Sequence, residues 1–370
     1  MIEQRSWRRA DLWIVALAVA LATYGSIILY SASRSSYPEG IQDLSHPVVK
    51  QAVAVVMGLV LMGLVALIDY RWWSFISPPL YVFSLLLLAV VLLLGEPVLG
   101  ARRWLDVGVV QVQVSEVAKL AFIMIMARFL ATRWQEMGRW QNFLLSLFLM
   151  AAPATLVMLE PDLGTAAIFG LTWMVMVVMG GGRLSHVGLF SAFLLLSIPL
   201  ATAVAMSDYQ RERLALFFNP NLDPLGGGFN ILQARIGIGA GQIWGRGLFQ
   251  GTQTQLDFLQ AASTDYIFSV LAEELGLVGA LLLLGLYSLL LFRLIRAIGL
   301  INDLFARLLV TGLVTMLTVQ VFIAIGVNVG VLPVTGIPLP LMSQGGSVTV
   351  VTLVALGIVQ GALLRRSLTP

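Results

Sequence analysis

Cysteine is absent from the 370 residues, which excludes thiolate nucleophiles, thiol ligands and disulfide chemistry. Histidine occurs only twice, at His46 and His186. The hydropathy pattern described below puts the two on opposite sides of a membrane, so neither a histidine-based metal site nor a Ser-His-Asp triad is available. Charge is scarce as well: 11% of the residues are Asp, Glu, Lys or Arg, against about 25% in soluble domains. Any catalysis must therefore run on carboxylates, lysine, arginine and hydroxyls. Long polar segments are also missing, with one exception that runs from Ser207 to Ser263.

Apolar runs fill the rest. The chain is 59% hydrophobic with a mean hydropathy of +0.92. Runs of about 20 apolar residues suffice to cross a hydrocarbon core of about 30 Å as helices. Ten are expected, near 10–30, 48–68, 74–94, 114–131, 143–159, 164–180, 185–206, 264–292, 306–328 and 347–364. The expected fold is an all-α integral membrane protein with one domain over residues 1–370, since no connection besides 207–263 is long enough to fold alone. The first run follows Arg5, Arg8 and Arg9, but it is too long for a signal-peptide core and is read as a retained helix.

Arginine sets the orientation. With the N-terminus inside, the inner segments hold Arg5, Arg8, Arg9, Arg71, Arg128, Arg133, Arg139, Arg183, Arg293, Arg296, Arg307, Arg365 and Arg366, which is 13 of the 22 basic residues. Acids show the reverse bias. Both termini are thus expected in the cytoplasm, and the large loop between helices 7 and 8 faces outward. The pI near 9.4 reflects inner-face arginine and does not point to nucleic acid.

The outer connections hold most of the informative polar residues. Asp265 stands at the mouth of the eighth span, with Ser263 and Thr264 as candidate N-caps. An ionisable group at that depth is costly to keep, so function is the default reading; helix capping is the structural alternative. Glu116 and Lys119 share a helix face and can pair, either to neutralise each other inside the bundle or to line a polar cavity opening outward. Asp162, after Glu160-Pro161, fits the N-cap of the sixth span. Glu273 and Glu274 lie two turns inside the eighth span and point in different directions, so at least one needs a buried partner or water, with Lys119 and the loop arginines as candidates.

Glycine crowds the second half of the loop, at Gly226-Gly227-Gly228 and at Gly237, Gly239, Gly241, Gly245, Gly247 and Gly251. Gly237-Ile238-Gly239-Ala240-Gly241 lacks the strand–turn–helix context of a nucleotide loop. A backbone that packs closely on the membrane surface or on a bulky ligand fits better. Pro333, Pro338 and Pro340 forbid a regular helix in the last outer connection. The Gly345-Gly346-Ser347 run after it can present N–H groups to an anion or form an ordinary re-entrant turn. Gly326 and Gly330 have small-xxx-small spacing, which suits helix packing.

Together these segments resemble the SEDS family (shape, elongation, division and sporulation), and its elongation branch more than its division branch. The likeness is carried by Gly100-Ala101-Arg102-Arg103-Trp104, Ser115-Glu116 with Lys119, Pro161 to Thr165, Tyr209-Gln210-Arg211, Arg213, Asn219-Pro220, Asp223-Pro224 and Gln233. It continues through Thr264-Asp265, Glu273-Glu274-Leu275-Gly276, Pro333 to Pro340, and Ser343 with Gly345-Gly346-Ser347. The resemblance implies a peptidoglycan glycosyltransferase polymerising lipid II at the outer face of the bacterial cytoplasmic membrane. It further implies a class B penicillin-binding protein as partner, within an elongation machinery containing MreB and MreC-type proteins.

By the same resemblance Asp265 is the essential acid. Glu116, Lys119, Arg102, Arg211, Arg213, Asp162, Gln233, Ser343, Gly345, Gly346 and Ser347 are the expected substrate-binding residues. A carboxylate base would activate the acceptor hydroxyl. Arginines, Lys119 or a divalent cation (Mg²⁺ or Mn²⁺) would neutralise the departing diphosphate. Gln260, Ser263 and Gln344 depart from the family pattern. The rival readings are a lipid II flippase, a division or sporulation paralogue with the same chemistry, and a non-catalytic scaffold for the partner.

Overall fold

The computed structural model describes residues 10–37, 40–41, 46–94, 104–106, 111–204, 206 and 208–365. Ten helices coincide with the ten expected runs: α1 (Leu12–Ser33), α2 (Pro47–Leu67), α3 (Tyr70–Leu94), α4 (Val114–Arg133), α5 (Trp140–Leu159), α6 (Leu163–Met179), α7 (Leu184–Val204), α11 (Ile267–Gly299), α12 (Leu304–Asn328) and α13 (Gly346–Leu364). Three more, α8 (Asp208–Phe218), α9 (Gly227–Gly241) and the single turn α10 (Thr252–Gln255), lie within the polar segment. That segment is therefore a helical subassembly. Strands β1 (Trp104–Asp106) and β2 (Gln111–Gln113), which hydropathy did not foresee, pair antiparallel just before α4.

Local chemistry explains where the helices start and stop. Asp11 accepts from the Trp13 amide at 3.1 Å and Asp303 from the Ala306 amide at 2.8 Å, each satisfying an orphan donor of a first turn. Pro47 occupies the first turn of α2, where its missing N–H is not needed. At the far end of α12, Gly330 adopts φ +76, and the amides of Gly330 and Val331 return to the carbonyls of Val327 and Gly326. That is a Schellman stop. The spacing of Gly326 and Gly330 thus ends a helix rather than packing two helices together.

By length and composition, seven of the described helices are able to cross a membrane: α1, α2, α3, α5, α11, α12 and α13. Among the other three, α4 carries Glu116, Lys119, Arg128 and Arg133, and α6 has only 17 residues. Helices α12 and α13 form the centre, with α13 against α2 and α12 against α4, α6 and α11. Large apolar side chains on α3, α5 and α7, among them Phe83, Phe148 and Phe193, face outward.

Successive helices alternate in direction, so the bundle has two chemically distinct ends. At one end, arginines and Gln360 tie helix termini together. Arg365 donates to the carbonyls of Ala66 and Gly361, Arg128 to that of Ser74, and Arg293 stands 3.7 Å from Asp11, whose backbone is bridged by Gln360. His186 belongs to this end, stacked on Trp140. His46 packs on Tyr30 and Tyr37 at the other end. The two histidines are thus as far apart as the sequence required.

Candidate active site

The site end is organised by a proline-rich strap, residues 331–345, which joins α12 to α13 without helix. Proline removes backbone donors, so the strap satisfies its polar groups against neighbouring elements. The Arg235 guanidinium of α9 lies over Gly330 at the strap's entry. Arg213 of α8 donates to the Val334 carbonyl at 3.2 Å. Gly164, at the start of α6, lies so close to Thr335 and Ile337 that a Cβ there would meet both at 2.6 Å. The Ser343 hydroxyl donates to the Thr264 carbonyl at 2.6 Å and accepts from the Leu339 amide at 3.0 Å. The Gln344 amide donates to the Ser263 carbonyl at 2.9 Å.

These last bonds hold the turn that carries Asp265. Its backbone is tied back to Ala261 at 3.1 Å, and the Asn328 side-chain amide, from the last residue of α12, donates to the Asp265 carbonyl at 2.7 Å. Asn328 Oδ1 accepts from both the amide and the hydroxyl of Ser269, at 3.0 and 2.8 Å. One residue thereby pins the turn before α11 and the first turn of the helix. The Asp265 side chain is half-buried at this junction. Helix α11 begins at Ile267 with Tyr266 in the N-cap position, and no side chain caps it. The expectation that Ser263 and Thr264 are caps is corrected: their carbonyls anchor the strap instead. Tyr266 lies within electrostatic reach of both Asp265 and Arg213, which brings base candidate and arginine to one locality.

The strap also reaches the second cluster. Ser347, in the first turn of α13, accepts from the Gln113 amide at 3.0 Å, just before α4. Three and six residues further along, Glu116 and Lys119 form a buried ion pair at 2.7 Å. The Gly345 amide donates to Gln51 Oε1 at 3.3 Å, and Gln51 in turn donates to the Thr349 hydroxyl. That donor of the Gly345-Gly346-Ser347 run is thus spent inside the protein, where it joins α13 to α2. Asp162 accepts from the amide and the hydroxyl of Thr165, at 3.0 and 2.9 Å, and caps α6 as its sequence suggested.

The other expected residues are more spread out. Gln233 is half-buried on α9, which packs against α11. Arg211 is on α8, 3.7 Å from the exposed Asp208. Arg102 lies outside the described residues, as do Arg5, Arg8 and Arg9. The residues missed by sequence reasoning are Asn328, Gln51 and Gln113, which supply the bonds that join the clusters. Asn328 carried one signal: an amide at the end of an apolar span, beside a glycine stop.

The glycine-rich part of the loop packs on the protein itself. It closes onto α11, which is interrupted at Gly276, where φ is +64 and ψ −159. Backbone groups freed by the interruption bond to the loop: Arg246 and Gly247 amides to the carbonyls of Glu273 and Glu274, and Leu277 and Val278 amides to those of Gln242 and Ile243, all within 3.1 Å. Such satisfaction is what permits a broken helix at membrane depth. Glu273 and Glu274 find their partners here and not at Lys119.

Comparison with known proteins follows the same outline. The family model described as "Cell cycle protein" for FtsW, RodA and SpoVE matches residues 11–367. Peptidoglycan glycosyltransferase MrdB of Escherichia coli K12 is 38% identical over 358 residues, 97% of this chain and 94% of its own length. A chain of a peptidoglycan synthase complex, solved for its coordination of polymerization and crosslinking, superposes with a TM-score of 0.81 at 35% identity, covering 97% of this chain and 98% of that one. The rod shape determining protein RodA of Thermus thermophilus gives a TM-score of 0.71 at 32% identity with the same coverage.

Proposed function

The chain belongs to the FtsW, RodA and SpoVE family, and on that premise we propose that it is a peptidoglycan glycosyltransferase that polymerises lipid II at the outer face of the bacterial cytoplasmic membrane. The observation that carries the mechanism is the frame around Asp265. Asn328, Ser343 and Gln344 fix the turn on three sides, while Arg213 is held to the same strap. A general base must be positioned before its basicity matters, and these bonds hold the backbone that carries this carboxylate.

In the reaction the acceptor sugar hydroxyl attacks the anomeric carbon of the donor. A new C–O bond forms, the bond from that carbon to the diphosphate oxygen breaks, and undecaprenyl diphosphate departs. The hydroxyl proton passes to Asp265. Arg213 and Lys119 are assigned to the charge that develops on the diphosphate, since fixed cations act most strongly where charge appears. Glu116 keeps Lys119 in place. Arg102, Arg211, Asp162, Gln233, Ser343, Gly345, Gly346 and Ser347 make up the wider headgroup wall, several of them through backbone placement. Among the described residues no cluster of three His, Asp or Glu is arranged to hold a metal ion. A divalent cation, Mg²⁺ or Mn²⁺, would therefore be carried by the diphosphate.

In this reading all ten long helices cross the membrane, the arginine-tied end and both termini are cytoplasmic, and α8–α10 lie outside. A class B penicillin-binding protein is the proposed partner, supported by likeness to a chain of a synthase complex, and MreB and MreC-type proteins the proposed context. The broken α11 favours one second reading, a lipid II flippase, because interrupted helices are common in transporters. Purified protein with its partner, given lipid II, separates the two. Glycan polymer supports the transferase; movement of lipid II between leaflets with no polymer supports the flippase and rejects the transferase.

A further inference from the structure

The chemistry above uses neither Glu273 nor Glu274, yet both are fully buried on α11 immediately before its interruption. Glu273 Oε1 accepts from the Thr252 hydroxyl at 2.9 Å, and both its oxygens face the Gln253 amide at 3.2 and 3.3 Å. The Thr252 hydroxyl in turn accepts from Arg246 at 2.8 Å. Glu274 accepts from the Ser31 hydroxyl of α1, and Gln255 donates to the Ser31 carbonyl at 3.2 Å. With the four backbone bonds across Gly276, these contacts rivet the segment 241–256 to the end of a nine-residue half-helix, 267–275.

Asp265 sits just before the other end of that half-helix. Asn328, Ser343 and Gln344 pin this first end, and the direction of a short rigid rod is set by holding its far end as well. The second anchor is the Glu273 cluster. We propose that Glu273 is a positioning residue: it locks the outer loop to the half-helix and thereby holds the Asp265 carboxylate in register with the strap. Its carboxylate does no chemistry; its value is as an acceptor at a fixed place. A displacement of about 1 Å at a reacting group can cost on the order of 10²-fold in rate, so the rivet has catalytic weight although it lies two helical turns from the base.

The cysteine-free sequence allows a direct test. A Cβ placed on Gly237 of α9 would stand 3.8 Å from the Glu273 Cβ, close to the ~3.8 Å typical of a disulfide. Gly237→Cys with Glu273→Cys therefore swaps the rivet for a covalent one that can be opened. In the partner-bound protein, Glu273→Gln keeps an acceptor and should retain kcat, whereas Glu273→Ala should lose about 10²-fold in kcat with little change in KM. The double-cysteine variant should match Glu273→Ala when reduced and recover by about tenfold or more on oxidation. Amide exchange across residues 263–270 should be fast in Glu273→Ala and in the reduced variant, and slow in the oxidised one.

Wild-type kcat and exchange in Glu273→Ala would overturn the proposal. So would a formed disulfide that restores slow exchange without restoring rate, because the carboxylate would then be needed for chemistry. Should Glu273→Ala fail to fold, Thr252→Val loosens the same cluster more gently; unchanged rate and exchange in that variant reject the idea. The proposal rests on the glycosyltransferase reading for its rate arm only. If wild type makes no polymer, that reading fails while the exchange arm still decides whether Glu273 is the anchor.

Discussion

At the scale of single residues, what the sequence disclosed was local along the chain. Glu116 and Lys119 are three apart, and Asp162 caps a helix whose first amide bond lies three residues on. Their spacing alone predicted the contacts. Asn328, Gln51 and Gln113 were hidden because their partners are 63, 294 and 234 residues away. No periodicity reports such pairings. The Glu116–Lys119 pair also carries a stability prediction. Removing one member leaves the other charge buried without compensation, at about 3–5 kcal/mol. Lys119→Met and Glu116→Gln should each be strongly destabilising in detergent-solubilised protein, and the double variant should cost clearly less than their sum. Additive losses in an unfolding double-mutant cycle would show that the pair is not coupled.

At the scale of elements, the helices were readable and their interruption was not. The run from Ile267 to Phe292 carries no charge besides Glu273 and Glu274, so hydropathy reads one span. The break comes from a loop thirty residues earlier whose backbone competes for the same hydrogen bonds. Gly276 makes it possible, since a Cβ at φ +64 would be strained and would meet the Ile243 carbonyl at 2.6 Å. Left-handed backbone costs a residue with a side chain on the order of 1–3 kcal/mol before any clash is added. Gly276→Ala should therefore lower the unfolding temperature and release the loop to protease. Gly285, on the same helix, has open space where a Cβ would go. Gly285→Ala should be neutral or stabilising by about 0.5–1 kcal/mol. Equal effects at the two sites would contradict a built-in break.

At the scale of the whole molecule, arginine placement and helix alternation agree. The thirteen arginines assigned to the inner side include Arg128, Arg293 and Arg365, which bind helix ends at the end of the bundle opposite Asp265. The absence of cysteine makes topology measurable with single introduced thiols. Asp208→Cys, on the exposed start of α8, should react with a membrane-impermeant maleimide added to intact spheroplasts. Arg139→Cys, exposed before α5, should react only after the membrane is opened. The reverse pattern would invert the proposed orientation and put Asp265 on the wrong side for lipid II. What composition could not convey at this scale is the form of 207–263. Its Arg211, Arg213 and Gln233 were expected at the site from the sequence, but not the helices α8–α10 that carry Arg213 and brace the half-helix behind Asp265.

The central claim is that Asp265 is the base in a site held together by the strap, and one rate tests it most directly. Glycan polymer formed from lipid II is measured for the partner-bound wild type and for Asp265→Asn, with partner binding and thermal unfolding recorded on the same preparations. Asparagine keeps the size and one acceptor oxygen of the side chain but cannot take the proton. The expected result is a loss of about 10²–10⁴-fold in polymerisation rate, with binding and stability unchanged. Polymer at the wild-type rate from a folded, partner-bound Asp265→Asn protein would contradict the account.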